Sequence, residues 1–329
     1  MMVCKKVHHW FRVLVAAMAV VTIGVAVLRS RPVRGDTLPC AEANPDVWVV
    51  STRRLPGICQ LPQSANFGVE RLEHETNRWE RSDLSALLSD STRPLMIFIH
   101  GNRYEPASAK QQGLELARRA TACAAGAAGA RTVIFSWPSE QQGILLKDGR
   151  AKYERAFADG HYLARFLGHV EPGRPVAIVG YSYGAIITLE AFEDLIAAER
   201  AGRSDVARWS DRPAPVHVVL IAAAIRCDAL APRGPYREVV DCFDRLTLLN
   251  NSNDDALRFF PLVDCGSRAE ALGYVGMPAS WLPPHVSFSR VDAANVVGRT
   301  HGFPYYLGSQ SLTRRICTGA FEGLGTAAE

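Results

Sequence analysis

The stretch PVAIVGYSYGAIITLEAF, residues 175–192, decides the interpretation of the rest of the chain. An apolar run leads directly into the pentapeptide GYSYG (180–184), and an amphipathic segment follows it. The run before the pentapeptide is typical of a buried β-strand, and the segment after it is typical of a helix. A sharp strand-to-helix turn between two glycines would present the Ser182 hydroxyl as a nucleophile. The alternative is an ordinary glycine-rich turn without a nucleophile. The rest of the sequence is needed to distinguish these two interpretations.

The same alternation of strands and helices extends over most of the chain. Strands are predicted at 47–53, 94–101, 131–138, 175–182, 216–224, 245–252 and 286–294, and helices at 105–124, 152–170 and 185–200. Several of these strands are almost entirely apolar, as strands covered on both faces of a parallel sheet are. We therefore predict an α/β fold, in which a mostly parallel, doubly wound sheet carries helices on both faces. The segment after STRRLP (51–56) is expected to add edge strands.

The residues needed to activate a serine follow it along the chain. A serine hydroxyl becomes a nucleophile when a base takes its proton and an acid orients that base. In this arrangement the acid and the base follow the serine in that order, each in a loop after a later strand. Asp254 and Asp255 follow the strand at 245–252, and His301 follows the last strand. We predict His301 as the base and Asp254 as its orienting acid, with Asp255 a close second.

Other interpretations of these residues remain open at the level of sequence. Asp254 stands where an aspartate would cap a helix formed by the following ALRFF segment, and aspartate is a favoured cap. The alternative interpretation of His301 is an ordinary histidine in a surface loop without a catalytic role. His285 is a rival base, but it precedes the final strand and would lie at the opposite edge of the sheet.

Two backbone N–H groups are predicted to bind the oxyanion that forms when a serine attacks a carbonyl. One belongs to Tyr183, directly after the serine. The other belongs to Asn102, in the turn after the strand at 94–101, where Gly101 lets the backbone turn towards the serine. Two such donors in a dry site contribute several kcal/mol of transition-state stabilisation. We predict a structural rather than a catalytic role for His100.

Five motifs occur in a characteristic order, namely IFIHGN, FSWPS, VGYSYG, NNSNDDAL and THGFPYY. With them the chain resembles the α/β-hydrolase superfamily and, within it, a bacterial group of unknown function, over about residues 94–307. The resemblance implies the α/β-hydrolase fold and hydrolase activity, and it implies no cofactor. The D-x-A-L match selects Asp254 rather than Asp255 as the acid. The chain departs from the group at Asn102-Arg103, where an aromatic residue often follows the His-Gly pair.

The leading functional hypothesis is a serine hydrolase that cleaves a carboxylic ester or similar acyl bond of a small molecule through an acyl-enzyme on Ser182. The alternative is a catalytically idle member of the fold that serves as an envelope scaffold or binding module, since a fold does not fix a function. A lipase or thioesterase at a membrane surface is a third hypothesis. The net charge of +4 is small and scattered, which argues against a nucleic-acid binder.

The first 35 residues are predicted to lie outside the hydrolase domain, which would occupy residues 36–329. Basic residues precede an uncharged apolar run at 13–28, which is the layout of an export signal. No clear small-residue cleavage site follows this run. We favour a retained N-terminal membrane anchor over a cleaved signal, so the predicted localisation is membrane-anchored or exported to the cell envelope outside the cytoplasm. The basic residues on the two sides of the run are nearly balanced and leave the orientation of an anchor open.

Cysteine usage agrees with export, because seven of the eight cysteines follow the apolar run and disulfides persist in oxidising compartments. Cys123 lies in an Ala-rich helical pattern and is predicted to be free. In a reducing compartment the cysteines would be buried small side chains. No Cys/His cluster with zinc spacing occurs, so no metal site is predicted. The candidate disulfides are Cys40–Cys59, Cys227–Cys242 and Cys265–Cys317, and the sequence leaves the pairing open.

Overall fold

The computed structural model describes residues 44–57, 65–123, 129–143, 145–203, 208–264 and 266–324. The predicted membrane anchor at 13–28 and the candidate pair Cys40–Cys59 lie outside these residues. In the part of the chain that is described, no helix is both long and apolar enough to cross a membrane.

Nine strands of the described chain form one sheet in the order β3-β2-β1-β5-β4-β6-β7-β8-β9. Every neighbouring pair from β1 to β9 is parallel, and only the β1–β2 and β2–β3 pairs are antiparallel. The prediction of a mostly parallel sheet is therefore confirmed. The strands are β1 (Asp46–Ser51), β2 (Gly68–Glu73), β3 (Arg78–Ser82), β4 (Leu95–Ile99), β5 (Arg131–Ser136), β6 (Val176–Tyr181), β7 (Val216–Ile221), β8 (Arg245–Asn250) and β9 (Ser287–Asp292).

Helices connect and flank these strands: α1 (Leu84–Leu88), α2 (Pro106–Cys123), α3 (Leu145–Leu167), α4 (Gly184–Arg200), α5 (Asp255–Arg258), α6 (Leu272–Val275), α7 (Ala294–Val297), α8 (Phe303–Gly308) and α9 (Gln310–Phe321). The chain passes from β4 to β5 in one direction along the sheet and from β5 to β6 in the other. Right-handed crossovers then place α2 on one face and α3 and α4 on the other. Helix α9 contacts α2, β6, β7 and β8, so it covers the same face as α2.

The central strands of the sheet are buried, and this explains the apolar runs in the sequence. Every residue of β4, β5, β6 and β7 is buried, as expected for parallel strands covered on both faces. The edge strands β3 and β9 keep exposed positions. The β2–β3 hairpin supplies the edge strands expected after STRRLP, whereas helix α9 was not predicted.

One disulfide corrects the cysteine predictions. Cys123, predicted to be free, is bonded to Cys317. Cys123 ends helix α2, and Cys317 is buried on helix α9, which packs against α2. The candidate pair Cys265–Cys317 is therefore wrong, and so is the pair Cys227–Cys242, because both of its cysteines are free. The packing of two helices far apart in the sequence decides the pairing, which the spacing of cysteines along the chain does not reveal.

Candidate active site

Loops at the carboxyl edge of the sheet carry all of the predicted site residues. Strand β4 leads to Asn102, β6 to Ser182, β8 to Asp254, and β9 with helix α7 to His301. Because these strands are parallel to one another in a single sheet, their carboxyl ends lie at one edge. The fold therefore brings together loops that are far apart in the sequence.

Ser182 occupies the turn between β6 and α4 with a φ of 54°, a left-handed conformation that is rare for residues other than glycine. A Cβ atom on Gly184 would lie 2.2 Å from the carbonyl oxygen of Ile99, and one on Gly180 would lie 2.9 Å from the carbonyl oxygen of Gly184. Both glycines are thus required by the close approach of backbone segments. The turn is a strained strand-to-helix connection, not an ordinary glycine-rich one.

Two hydrogen bonds join the serine, the histidine and the aspartate. The Oγ of Ser182 lies 2.8 Å from Nε2 of His301, and Nδ1 of His301 lies 2.6 Å from Oδ2 of Asp254. Asp254 is fully buried, and Ser182 is nearly so. With the carboxylate at Nδ1, the neutral imidazole carries its proton there and leaves Nε2 to accept one from the serine hydroxyl.

Asp254 is both the partner of His301 and the cap of helix α5. Its Oδ1 accepts hydrogen bonds from the N–H groups of Ala256 at 2.9 Å and Leu257 at 3.0 Å, while Oδ2 faces His301. The two roles are compatible because the carboxylate has two oxygens. The two hydrogen bonds that Oδ1 accepts hold the carboxylate group, and so they fix the direction in which Oδ2 points.

The alternative acid, Asp255, and the alternative base, His285, make other contacts. Asp255 forms a two-bond ion pair with Arg299, with both N···O distances at 3.0 Å. His285 is exposed in the turn before β9, at the amino edge of the sheet. In the described chain, neither Asp255 nor His285 hydrogen-bonds to Ser182 or His301.

The turn after β4 lies directly against the serine. A Cβ atom on Gly101 would lie 2.9 Å from the Cβ of Ser182. The N–H groups of Asn102 and Tyr183 donate none of the hydrogen bonds found among the described residues. Both N–H groups are therefore available to an oxygen that carries developing negative charge beside Ser182.

His100 supports this turn from within the core. Its Nδ1 donates to the carbonyl oxygen of Gly101 at 2.9 Å, and its Nε2 accepts from the N–H of Trp137 at 3.3 Å. The ring stacks on those of Trp137 and Tyr104. Burial lowers the pKa of His100 to about 3, so the ring is neutral at ordinary pH and can donate and accept at once. These contacts give His100 a structural role.

Two residues that position the histidine were not predicted from the sequence. The hydroxyl of Tyr181 donates to the backbone carbonyl of His301, and its ring centroid lies 5.4 Å from that of the imidazole. Burial raises the pKa of the Tyr181 hydroxyl well above its ordinary value, so the hydroxyl keeps its proton. Asn251 donates to the carbonyl of Gly298 at 2.8 Å and so ties the histidine loop to the acid loop. Neither residue carries a signal in the sequence, because the contact forms only in the folded chain.

Residues 96–317 match the alpha/beta hydrolase family. The chain belongs to that family. The matched range runs from β4 to α9 and includes Asn102, Ser182, Tyr183, Asp254 and His301. The superfamily predicted from the sequence motifs is thus confirmed for this α/β-hydrolase. Its narrower resemblance to one bacterial group stays a prediction.

Several solved structures resemble this α/β-hydrolase at low identity. Esterase B from Lactobacillus rhamnosis is 14% identical, with 96% of this chain and 93% of that chain covered and a TM-score of 0.36. The Pyrobaculum calidifontis esterase is 15% identical, with 77% and 78% covered and a TM-score of 0.34. A bacterial heroin esterase is 14% identical, with 80% and 81% covered and a TM-score of 0.33. No curated protein matches the chain.

Proposed function

We propose that this α/β-hydrolase is a serine hydrolase that cleaves a carboxylic ester or a similar acyl bond in a small molecule. The observation that carries the proposal is the unbroken hydrogen-bond path from the Ser182 hydroxyl through His301 to the buried carboxylate of Asp254. The strained turn at Ser182 supports the same assignment. So do the N–H groups of Asn102 and Tyr183, which donate no hydrogen bond to any of the described residues.

In the proposed reaction, Nε2 of His301 takes the hydroxyl proton while Oγ of Ser182 attacks the carbonyl carbon of the substrate. Asp254 stabilises the imidazolium that results, and the N–H groups of Asn102 and Tyr183 receive the oxyanion. His301 then gives the proton to the leaving alcohol, and the acyl group remains on Ser182. Water attacks the acyl-enzyme by the same proton path, which releases the acid and restores the serine.

The test compares two serine variants of the full chain in the hydrolysis of a short-chain p-nitrophenyl ester. Ser182→Ala should lower turnover by about 10⁴-fold or more. Ser139→Ala is the matched control, because Ser139 is also buried at this edge, with its Oγ 3.4 Å from Nδ1 of His100. It should lower turnover by less than about tenfold. Undiminished hydrolysis by folded Ser182→Ala would overturn the proposal, and a folded wild type that cleaves no ester would favour the idle scaffold.

We also propose that the hydrolase acts in an oxidising compartment outside the cytoplasm, held there by its N-terminal segment. The disulfide between Cys123 and Cys317 supports the oxidising compartment, because such bonds are rare in the cytosol. Fractionation followed by thiol alkylation should find both cysteines oxidised in the envelope fraction. A chain that is cytosolic, with both cysteines alkylated, would contradict the proposal.

A further inference from the structure

The segment that follows β1 carries a largely buried arginine at the active-site edge of the sheet. Arg53 belongs to STRRLP (51–56), a stretch that the proposed mechanism does not use, and its side chain is 12% exposed. The N–H of Thr52 donates to the carbonyl of Ser136 at 3.0 Å, so the parallel strands β1 and β5 end side by side. Arg53 therefore lies at the carboxyl edge of the sheet, as Ser182 does.

All three nitrogens of the Arg53 guanidinium donate hydrogen bonds. Nε donates to Oγ of Ser136 at 2.9 Å, and Nη1 donates to Oε2 of Glu140. Nη2 donates to the backbone carbonyl of Tyr104 at 2.9 Å. Ser136 ends β5 and Glu140 follows it, whereas Tyr104 lies in the turn after β4. Because a guanidinium is planar and rigid, the two bonds near β5 fix the direction of the bond to the β4 turn.

The turn that Arg53 contacts is the one that carries the N–H of Asn102. It contains a strained residue, because Arg103 has a φ of 63°, a left-handed value that is rare for residues other than glycine. Such a conformation persists only where surrounding contacts hold it. On one side the N–H of Arg103 donates to the carbonyl of Ser139 at 2.7 Å. On the other side the carbonyl of Tyr104 accepts the bond from Arg53.

A second donor reaches the Tyr104 carbonyl but is the weaker of the two. The hydroxyl of Ser139 donates to the same oxygen at 3.2 Å. This bond is longer than the one from Arg53 and its donor is neutral, whereas hydrogen bonds from charged donors are roughly twice as strong. Arg53 is therefore the main side-chain support of the Tyr104 carbonyl.

We infer that Arg53 is a positioning residue, which holds the turn after β4 so that the N–H of Asn102 faces the oxyanion formed at Ser182. The inference rests on the proposed function, since this oxyanion forms only if Ser182 attacks a carbonyl. Arg53 makes no hydrogen bond to Ser182, His301 or Asp254. Its loss should weaken the stabilisation of the oxyanion and leave the proton path from serine to aspartate intact.

The test compares two arginine variants of the full-length chain in the hydrolysis of p-nitrophenyl acetate. Arg53→Met should lower kcat by about tenfold or more, because loss of a whole oxyanion donor costs about 10²–10³-fold. Its KM should stay within about threefold of the wild type, since the oxyanion exists only beyond the ground state.

Arg131→Met is the matched control. Arg131 is also buried, pairs with Asp46 at 2.7 Å and donates to the backbone carbonyl of Leu87, but it lies at the opposite, amino end of β5. Both variants lose a partly or fully buried ion pair and should unfold at a lower urea concentration than the wild type. Arg131→Met should nevertheless keep kcat within about threefold of the wild type, because it is remote from the serine.

Inhibition by trifluoroacetophenone reports on the oxyanion directly. Ser182 adds to this ketone reversibly, and the adduct carries the negative oxygen of the tetrahedral state. Its Ki should rise in Arg53→Met by about the factor by which kcat/KM falls and should not change in Arg131→Met. The pH at which kcat/KM is half-maximal should stay the same in both, since His301 and Asp254 keep their contacts.

Arg53→Lys is a milder variant that keeps the charge but not the rigid three-way fork. Its kcat should lie at least about threefold below the wild type and above that of Arg53→Met. Wild-type kcat and Ki in either folded Arg53 variant would overturn the inference. Equal losses of kcat in Arg53→Met and Arg131→Met would overturn it too, because they would indicate a general loss of stability. These results leave the proposed function intact, whereas a folded wild type that hydrolyses no ester would overturn both.

Discussion

Asp254 shows how one side chain can serve the backbone and the chemistry together. One carboxylate oxygen holds the N-terminus of α5, and the other holds Nδ1 of His301. From the sequence, the cap and the acid appear as competing interpretations of one residue. In the structure both contacts are present at once, because one carboxylate oxygen caps α5 while the other lies 2.6 Å from Nδ1 of His301.

Replacement of Asp254 by asparagine separates the two roles. The amide side chain would still cap α5, since asparagine is as good a cap as aspartate, so the free energy of unfolding should change by less than about 1 kcal/mol. The variant Asp254→Asn should nevertheless lower kcat for ester hydrolysis by about 10⁴-fold, because the neutral amide neither fixes the tautomer nor stabilises the imidazolium.

Asp255→Asn is the matched control for this experiment. It removes the exposed ion pair with Arg299, and pairs of this kind contribute at most about 1 kcal/mol. Its kcat should remain within about threefold of the wild type. If Asp255→Asn were the more damaging change, the assignment of the acid would be wrong.

Tyr181→Phe tests a positioning role that only the structure reveals. The variant loses the hydroxyl that donates to the carbonyl of His301, so the imidazole should be less well held against Ser182. We expect kcat to fall by about tenfold, with little change in KM. A tenfold decrease corresponds to about 1.4 kcal/mol, which is the contribution of one hydrogen bond.

Tyr162→Phe separates positioning from a general loss of stability. The buried Tyr162 hydroxyl donates to the carbonyl of Pro56 at 3.0 Å, which is the same kind of bond. Both variants should lose a similar free energy of unfolding in urea, but only Tyr181→Phe should lose kcat. Equal kcat values in the two variants would show that the Tyr181 contact has no part in positioning.

At the scale of elements, the connection of β6 to α4 is the most tightly constrained part of the fold. Gly184 begins α4 and lies against the carbonyl of Ile99 on β4. An alanine at a helical glycine normally stabilises a protein by up to about 1 kcal/mol. Gly184→Ala should have the opposite sign, because its Cβ meets backbone that cannot move aside, and should lower the free energy of unfolding by about 3 kcal/mol.

Urea denaturation of Gly184→Ala checks this, with Gly173→Ala as the control. Gly173 lies in the turn before β6, and a Cβ atom there would meet nothing within 4 Å. That variant should keep its free energy of unfolding within about 1 kcal/mol of the wild type. A neutral or stabilising Gly184→Ala would mean that the close approach of β4 and α4 is not required.

The elements that could be predicted from the sequence are those whose pattern is local. Strands β4 to β7 appear as continuous apolar runs because both faces are covered. Helix α3 was predicted to begin at residue 152 but begins at Leu145. Helix α9 was not predicted, and its partner α2 is distant in the sequence.

Across the whole molecule, the disulfide joins two helices that lie before and after Ser182, Asp254 and His301 in the sequence. It links α2 to α9 over 194 residues of sequence. Closing so long a loop removes much conformational entropy from the unfolded chain, so Cys123→Ser/Cys317→Ser should lower the free energy of unfolding by about 2–5 kcal/mol. Cys227→Ser, which removes a free thiol, is the control and should change it little. An unchanged free energy in the double variant would show that the bond does not stabilise the fold.

The sequence predicted the candidate serine, acid and histidine because each belongs to a motif placed after a strand. It did not predict the supporting contacts of Tyr181 and Asn251, which depend on loops far apart in the chain. Nor did it predict the partner of Cys123, because the docking of α9 onto α2 decides that pair.

The central claim is that Ser182 is an activated nucleophile, and fluorophosphonate labelling followed by peptide mapping tests it most directly. The full-length chain should gain one adduct, on the peptide that contains Ser182, and Ser182→Ala should gain none. Ser139 is another buried serine near a histidine, so an adduct there instead would contradict the claim. A folded wild type that gains no adduct would contradict it as well.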